Sequence, residues 1–574
     1  MVRSDHGFHA CIMPRVHTRP MLNPSVLCVT GLVLLTAQAA WAQPVPTAAA
    51  PETAVAAIAA ITAAPAARFD VFEYEVQGNS VLPALAVEAA LLPFMGAQRT
   101  LADVEAARGA LEKAYQDAGF LTVFVDLPEQ RVADGLVRLH VTEGRIERLR
   151  VTGARHFSQG FILATAAALQ AGGVPNFNTL QTQLADLNRT PDRQVQPVLR
   201  PGREPGTVEV ELKVKDRLPL SATLDLHNKH AANTTPTRLV GSLRYDNLLQ
   251  RDQALALTLI SVPEAPQESQ VLVANWTSPL ANQASLVTSL VLSNSRVEPL
   301  GATVLGKGFA LGLRWALPLQ AADSLHSVSL GFEYRDLKQR VVNGGSEVST
   351  PLRYLPLQAS HTGQWRDEAG TSTVLTSSLA LGLRGLLARS VPCPGTTLSG
   401  LQDQFACNRD GADGGFVTLR GDLRHSRALA GGTLALRGAW QVAMQPLVSG
   451  EQFALGGADT VRGYFESEAS GDQVLLGALE WRSANLAGAL GDPGGPGHLS
   501  DLNLLAFAEA AQARSLDPLP NQAAKVSLAG SGLGLRLRGG PLWSADLDLA
   551  WPLKATAQSP GRQPRLHARL GLQF

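Results

Sequence analysis

From residue 218 to its last residue the chain keeps to a period of two, and no other feature limits its fold so much. In TLALRGAWQV, Leu434, Leu436, Trp440 and Val442 fall on one face, with Arg437 and Gln441 on the other. VTLRGDLRH sets Val417, Leu419 and Leu423 against Arg420, Asp422 and Arg424; LWSADLDLAW sets Trp543, Leu547, Leu549 and Trp551 against Asp546 and Asp548. Successive strand side chains point to opposite sides, so these segments are strands with one apolar and one charged face. About sixteen of them, an even number, run from 221–230 to 565–574, including 353–366 and 372–386. A soluble sandwich also alternates. Here the strand number, the 17% charged content and a polar face carrying both signs of charge point to a closed barrel. Lipid satisfies no backbone polar group, so a sheet that spans it must close on itself. The last strand, RLHARLGLQF, alternates Leu566, Ala568, Leu570 and Leu572 up to Phe574. The long connections 336–352, 387–414, 445–471 and 512–524 all fall on one side, and the opposite turns are short except 483–500.

The region before the barrel has a different texture. FDVFEYEVQGN reads as a strand, LPALAVEAALLPF and LADVEAARGALEKAYQDAGF as helices, the second stopped by Gly119, and 120–126 and 136–142 as strands. The order β-α-α-β-β recurs in RIERLRVTGA, SQGFILATAAAL, NTLQTQLADLNRT, RQVQPVLR and TVEVELKVKD. Two tandem copies of one small α+β module, 68–143 and 144–217, are expected, followed by the barrel over 218–574.

Residues 1–42 read as a signal peptide: Val26–Ala40 is apolar, follows Arg15 and Arg19, and ends in Ala40-Trp41-Ala42, with translation starting at Met1 or Met13. Residues 43–67 form an Ala/Pro-rich linker able to hold one short helix, Glu52–Ala64. Of the four cysteines, Cys11 and Cys28 fall in the removed segment. Cys393 and Cys407 remain, as a disulfide in an exported protein; the rival reading, a metal site, needs further ligands that the neighbourhood does not offer. Lys+Arg and Asp+Glu are equal at 49, so net charge gives no argument for nucleic acid as a partner. The sequence holds no nucleophile–base arrangement; Gly530-Ser531-Gly532-Leu533-Gly534 mimics a dinucleotide loop but no helix follows it. His227 and His230 at a strand end read as solvated rather than as ligands. Neither an enzyme nor a cofactor or metal is expected.

One connection is unusual. FALGGADTVRGYFESEASGD, residues 453–472, carries Val461, Arg462, Gly463 and Tyr464 at its centre. This stretch resembles the sixth extracellular loop of the two-partner secretion transporters, the TpsB-type haemolysin and haemagglutinin transporters of the outer-membrane assembly superfamily. NRTPDRQVQPVLRPGREPGTVEVELKVKDRLP resembles the end of their second POTRA domain, and SLAGSGLGLRL their antepenultimate strand. The likeness runs from about Phe69 to Phe574. It implies two POTRA modules in the periplasm and a 16-stranded barrel in the outer membrane of a Gram-negative bacterium. It implies a loop, 445–471, folded into the pore, with its arginine on an acid of the thirteenth strand. That acid stands in a Phe-x-Asp-x-Gly pattern, matched here by Phe507-Ala508-Glu509-Ala510-Ala511, with Glu for Asp and Ala for Gly. Glu509 is therefore the first-choice partner of Arg462 and Glu480 the second. The linker segment 52–64 would correspond to the family's plug helix.

Alternation places Arg314, Arg384, Arg420, Arg424, Arg437, Arg482, Arg536 and Arg538 in the lumen, with Asp422, Glu480, Asp546 and Asp548. By the resemblance, the partners are an unfolded exoprotein cargo, adhesin- or haemolysin-like, outer-membrane lipid, periplasmic chaperones and the barrel-assembly machinery. The leading expectation is secretion of that cargo through the barrel. The second is an insertase that assembles other barrels; two modules favour secretion, since such insertases carry more. A passive porin is third, and the periplasmic modules argue against it.

Overall fold

The structure, a computed structural model, describes residues 67–574 apart from 133, 281, 296–305, 322, 344–345, 394–400, 430, 491–497 and 519–521. The signal peptide and the linker with its helix lie outside the described residues.

Each small module folds as expected. In the first, Glu73–Gln77 lies parallel to Leu136–Glu143, which pairs antiparallel with Val123–Asp126. Helices Ala84–Leu91 and Leu101–Asp117 cover one face. The second helix starts in a capping box, Thr100 and Asp103 exchanging side-chain and backbone bonds, and stops at Gly119 with φ +95°. Leu111, Tyr115, Val123 and Leu139 fill the core between helix and sheet. A further strand pair, Phe69–Val71 with Gly96–Arg99, is an addition that the sequence pattern did not reveal. The second module repeats the plan: Arg145–Thr152 parallel to Thr207–Asp216, Arg193–Pro201 antiparallel beside it, and helices Gln159–Thr165 and Phe177–Leu187 above.

The second module is bolted to the barrel by Arg193, whose side chain is wholly buried. Its Nη1 and Nη2 grip Asp252 at 2.8 and 2.7 Å, its Nε donates to the Leu187 carbonyl, and its guanidinium lies 4.7 Å from the Phe157 ring. Asp252 belongs to the turn between the second barrel strand, Arg238–Leu248, and the third, Gln253–Ser261. From the same turn Gln250 accepts from Ser158 N and donates to the His156 carbonyl, as does Asn247 at the end of the second strand.

The barrel closes when its last strand, Arg565–Gln573, pairs with its first, Leu220–His227. Seventeen strands form the ring, but Ser346–Tyr354 and Leu357–Arg366 both pair with the seventh strand, Ser324–Asn343, and share one position, so the wall has sixteen. Leucines stand exposed on the outer face, among them Leu419, Leu423, Leu436, Leu547, Leu549, Leu566 and Leu570. No described helix is long and apolar enough to cross a membrane, which says nothing of the barrel's strands.

Three expectations about boundaries change. Segment 336–352, read as a loop, is mostly paired strand: the seventh strand and Ser346–Tyr354 continue as a hairpin, Arg335 opposite Tyr354 and Asn343 opposite Ser346. Beyond lipid a strand needs no apolar face, so alternation gives no signal there. The expected strand 353–366 is interrupted at Leu355-Pro356, because proline offers no N–H to the ladder. The ninth strand, expected over 372–386, ends at Leu381; a Cβ on Gly382 would stand 2.4 Å from the Gly414 carbonyl, at the far end of the following connection. The unexpectedly long turn 483–500 is genuine, since the twelfth strand stops at Ser483 and the thirteenth starts at Asp501.

Candidate functional site

The connection after the eleventh strand, Gly432–Ala443, does not rise into solvent. It makes a short hairpin, Phe453–Leu455 with Ala469–Gly471, and its turn is sealed: Val461 and Tyr464 have no exposure and Arg462 has 6%. Val461 packs with Leu455, Leu476, Ala511 and Leu528, so the apolar positions of the loop face an inner core built by the twelfth to fourteenth strands. A buried arginine must find compensation for its lost hydration.

Arg462 finds three carboxylates. Glu509, on the thirteenth strand Asp501–Arg514, accepts from its Nε at 2.7 Å, from Nη2 at 2.5 Å, and with its other oxygen from the Arg462 backbone N–H at 2.6 Å. Glu480, on the twelfth strand Gln473–Ser483, lies 3.0 Å from Nη2, and Asp548, on the fifteenth strand Trp543–Pro552, 3.3 Å from Nη1. Beneath them the guanidinium sits 3.4 Å from the centre of the Phe507 ring. Planar charge, a fork of donors and ring stacking are properties that lysine lacks.

The neighbouring residues let the backbone come this close. Gly463 adopts φ +97°, and a Cβ there would fall 2.9 Å from Pro552 N. Its N–H donates to His567 Nε2 at 3.0 Å. Opposite, a Cβ on Gly530 would fall 2.2 Å from the Arg462 carbonyl, so the wall also yields space to the loop. The Tyr464 hydroxyl lies 2.7 Å from the Lys554 carbonyl and 2.9 Å from that of Ala529, fixing the loop beside the fourteenth strand, Lys525–Gly539.

The lumen bases are placed as follows. Arg420 bonds Gln441 and the Glu451 carbonyl; Arg424 and Arg437 share Asp422; Arg437 also donates to the Asp459 carbonyl of the loop. Arg482 reaches Glu480 at 3.3 Å, and Arg536 grips Asp548 at 2.7 and 2.8 Å. Arg538 shares the Arg536 face and is exposed, and Arg314 bonds Glu333 and Gln358. Arg384 is a correction: it lies past the end of its strand and pairs with Asp413 of the following hairpin. The Cys393 and Cys407 sulfurs are joined, with their Cα atoms 5.5 Å apart.

Sequence reasoning missed four participants. Asp548 was on the lumen face, but nothing in the pattern tied it to Arg462. Phe507 shared that face without an assigned role. Glu451 and Asp472 lie in the loop, where no periodicity marks them; Glu451, 3% exposed, accepts from Arg335 Nη1 at 2.5 Å and from the Tyr354 hydroxyl at 2.9 Å.

Comparison with known proteins bears on the family and the fold. Residues 69–144 match the family described as POTRA domain, ShlB-type, and residues 206–476 match haemolysin secretion/activation protein ShlB/FhaC/HecB. The chain is 28% identical over 134 residues to the outer membrane transporter CdiB of Dickeya dadantii, 23% of each protein. It is 25% identical over 181 residues to CdiB of Escherichia coli O6:K15:H31, 32% of this chain and 30% of that one. These alignments therefore span less than a third of the curated relatives. The fold likeness is wider: CdiB from Escherichia coli superposes with a TM-score of 0.55 at 18% identity, covering 92% of this chain and 94% of that one. BamA from Haemophilus ducreyi lacking POTRA domains 1-3 superposes at 0.50 and 15% identity, covering 88% and 100%.

Proposed function

Because this chain belongs to the haemolysin secretion/activation family of two-partner secretion transporters, with its barrel in the outer membrane and its POTRA modules in the periplasm, we propose that it captures an unfolded exoprotein in the periplasm and secretes it through the barrel. The observation that carries this reading is the inward loop: a pore holding a loop on a buried Arg462–Glu509 pair, above two periplasmic modules, suits gated passage of a chain rather than free diffusion. Capture by β-augmentation has edges available to it, Glu73–Gln77 and Val123–Asp126 in the first module and Arg145–Thr152 in the second. Phe124, on one of these edges, is 60% exposed. No catalysis is needed, since folding of the cargo outside draws it outward. Outer-membrane lipid, periplasmic chaperones and the barrel-assembly machinery complete the set of partners.

The BamA-like fold gives the insertase reading its one support, and a single experiment separates the two. Deleting the gene in cells that express a neighbouring large exoprotein should abolish that protein in the medium while other outer-membrane barrels keep their abundance. Loss of the other barrels with cargo still exported would overturn the proposal in favour of insertion.

A further inference from the structure

Arg462 fastens the turn of the inward loop; a separate cluster fastens its root. Asp472, where the returning arm meets the twelfth strand, has no exposure. Its carboxylate accepts from Arg409 Nη1 at 2.5 Å and Nη2 at 2.7 Å, from Leu447 N at 3.0 Å, from Gln452 Nε2 at 3.1 Å and from Leu516 N at 2.7 Å. Leu447 and Gln452 belong to the descending arm, so one carboxylate ties both arms of the loop together. Leu516 belongs to the connection after the thirteenth strand, so the same group also ties the loop to the rim.

Arg409 comes from elsewhere. It follows the short helix Gln404–Asn408 in the hairpin between the ninth strand, Ser372–Leu381, and the tenth, Val417–Leu429. Its Nη1 and Nη2 also donate to the Leu447 and Leu516 carbonyls at 2.6 and 2.9 Å. That helix is also anchored to the wall by residues other than Arg409. Gln404 exchanges two bonds with the Arg353 backbone, and Phe405 packs edge-on to Tyr354 at 5.4 Å. A surface ion pair is screened and dispensable. This one is bidentate, shielded and shared by two arms of one loop and two other connections, and such pairs hold geometry.

We propose that Arg409 and Asp472 are positioning residues that hold the root of the inward loop, a second lock on the pore independent of Arg462. The proposal rests on the reading of the loop as the pore's occupant, and the geometry supports the independence. Arg462 engages the twelfth, thirteenth and fifteenth strands, whereas Asp472 engages the outer hairpin and the rim. Displacing the loop requires both to part.

The test is the open probability of the purified full-length protein in planar bilayers. Arg409→Gln should raise it about tenfold or more while Arg462 and its partners stay intact. Arg409→Lys should fall between, since one ammonium reaches one carboxylate oxygen but cannot bridge Asp472, Leu447 and Leu516 together. Combined with Arg462→Gln, the two factors should multiply; a double variant no leakier than Arg462→Gln alone would overturn the independence. Heat-modifiable migration on gels reports that each variant is folded. Should Arg409→Gln not fold, Asp472→Asn keeps the side chain's size and one acceptor oxygen, enough for the Leu447 N–H or the Leu516 N–H but not both, and at least the same rise is expected of it. A folded variant as quiet as the parent overturns the proposal. The readout is conductance, so this failure stays distinct from failure of the secretion reading, which is judged by cargo in the medium.

Discussion

Arg193 at the module–barrel joint and Arg462 in the pore are both sealed from solvent, yet their surroundings differ in stoichiometry. Arg193 faces one carboxylate, Asp252, and completes its coordination with the Leu187 carbonyl and the rings of Phe157 and Phe161. Arg462 faces three carboxylates, Glu480, Glu509 and Asp548, from three different strands. Two of these have a second base: Arg482 pairs with Glu480 and Arg536 with Asp548. Among the described ion pairs Glu509 has Arg462 alone. The joint is a closed neutral pair that gains nothing by opening. The pore cluster is a network in which two acids keep a partner when Arg462 leaves, which lowers the cost of parting loop from wall. One arrangement suits a permanent bolt, the other a contact made and broken.

The largest effect should come from Arg462→Ala. It strands Glu509 with no base in a site that is barely exposed, at a cost of about 3–5 kcal/mol of local order. The barrel should still assemble and migrate as heat-modifiable, because its ladders do not pass through the loop, while export per barrel collapses. Arg462→Lys should restore little. The carboxylates then rank by whether they have a second base: Glu509→Gln should impair export more than Asp548→Asn or Glu480→Gln. Quantified cargo against barrel abundance in the same cells checks the order, and equal effects from all three acids would erase the distinction drawn between the two arginines.

Arg193→Ala should come next, near the lower end of that range, about 3 kcal/mol, because Asp252 keeps 20% exposure and can take up water. Its signature is geometric: distances between spin labels on module 2 and on the turn after the second strand should broaden. A distribution as narrow as the parent's would show that Asn247 and Gln250 hold the joint unaided.

How much of this was legible depends on where periodicity operates. Within lipid, one face must be apolar, so alternation placed Glu509, Arg420, Arg437 and Arg536 on the lumen side and placed the wall strands within a few residues. What alternation omits is register. Glu509 stands opposite Gly530 and Asp548 opposite Gly534 on the shared fourteenth strand, so their convergence on Arg462 depends on strand stagger and side-chain reach. Outside lipid the constraint lapses, which is why the 336–352 hairpin read as a loop and Arg384 as a lumen base. Arg409, Glu451 and Asp472 lie outside the wall strands, and their pairings, Arg409 with Asp472 and Glu451 with Arg335, exist only in three dimensions. The tetrapeptide Val461–Tyr464 and its partner Glu509 were visible for another reason: the stretches that hold them resemble the sixth loop and the thirteenth-strand motif of the two-partner secretion transporters.

The smallest effect concerns the joint's response to acid, and it is set by Asp216, at the end of the strand Thr207–Asp216. Its Oδ2 accepts from the backbone N–H groups of Arg155, His156 and Phe157 at 2.9, 2.7 and 3.1 Å. These bonds shape the turn that sets Phe157 against Arg193 and aims the His156 carbonyl at the barrel. Burial acts to raise the Asp216 pKa, but the three N–H groups outweigh it, and the carboxyl titrates below its ordinary value of 3.8. A depressed pKa means that the folded turn binds a proton less tightly than the unfolded chain. Its contribution is therefore complete above 3.8 and is lost as pH falls through the lower, folded value. At neutral pH, module and barrel should show one narrow distance distribution, which broadens as the pH falls below 3.8 and Asp216 protonates. Asp216→Asn, which keeps an acceptor but cannot titrate, should flatten that acid limb, whereas Arg193→Ala should broaden the distribution at every pH. Identical acid limbs for the parent and Asp216→Asn would assign the pH response to another group and leave Arg193 alone to define the bolt.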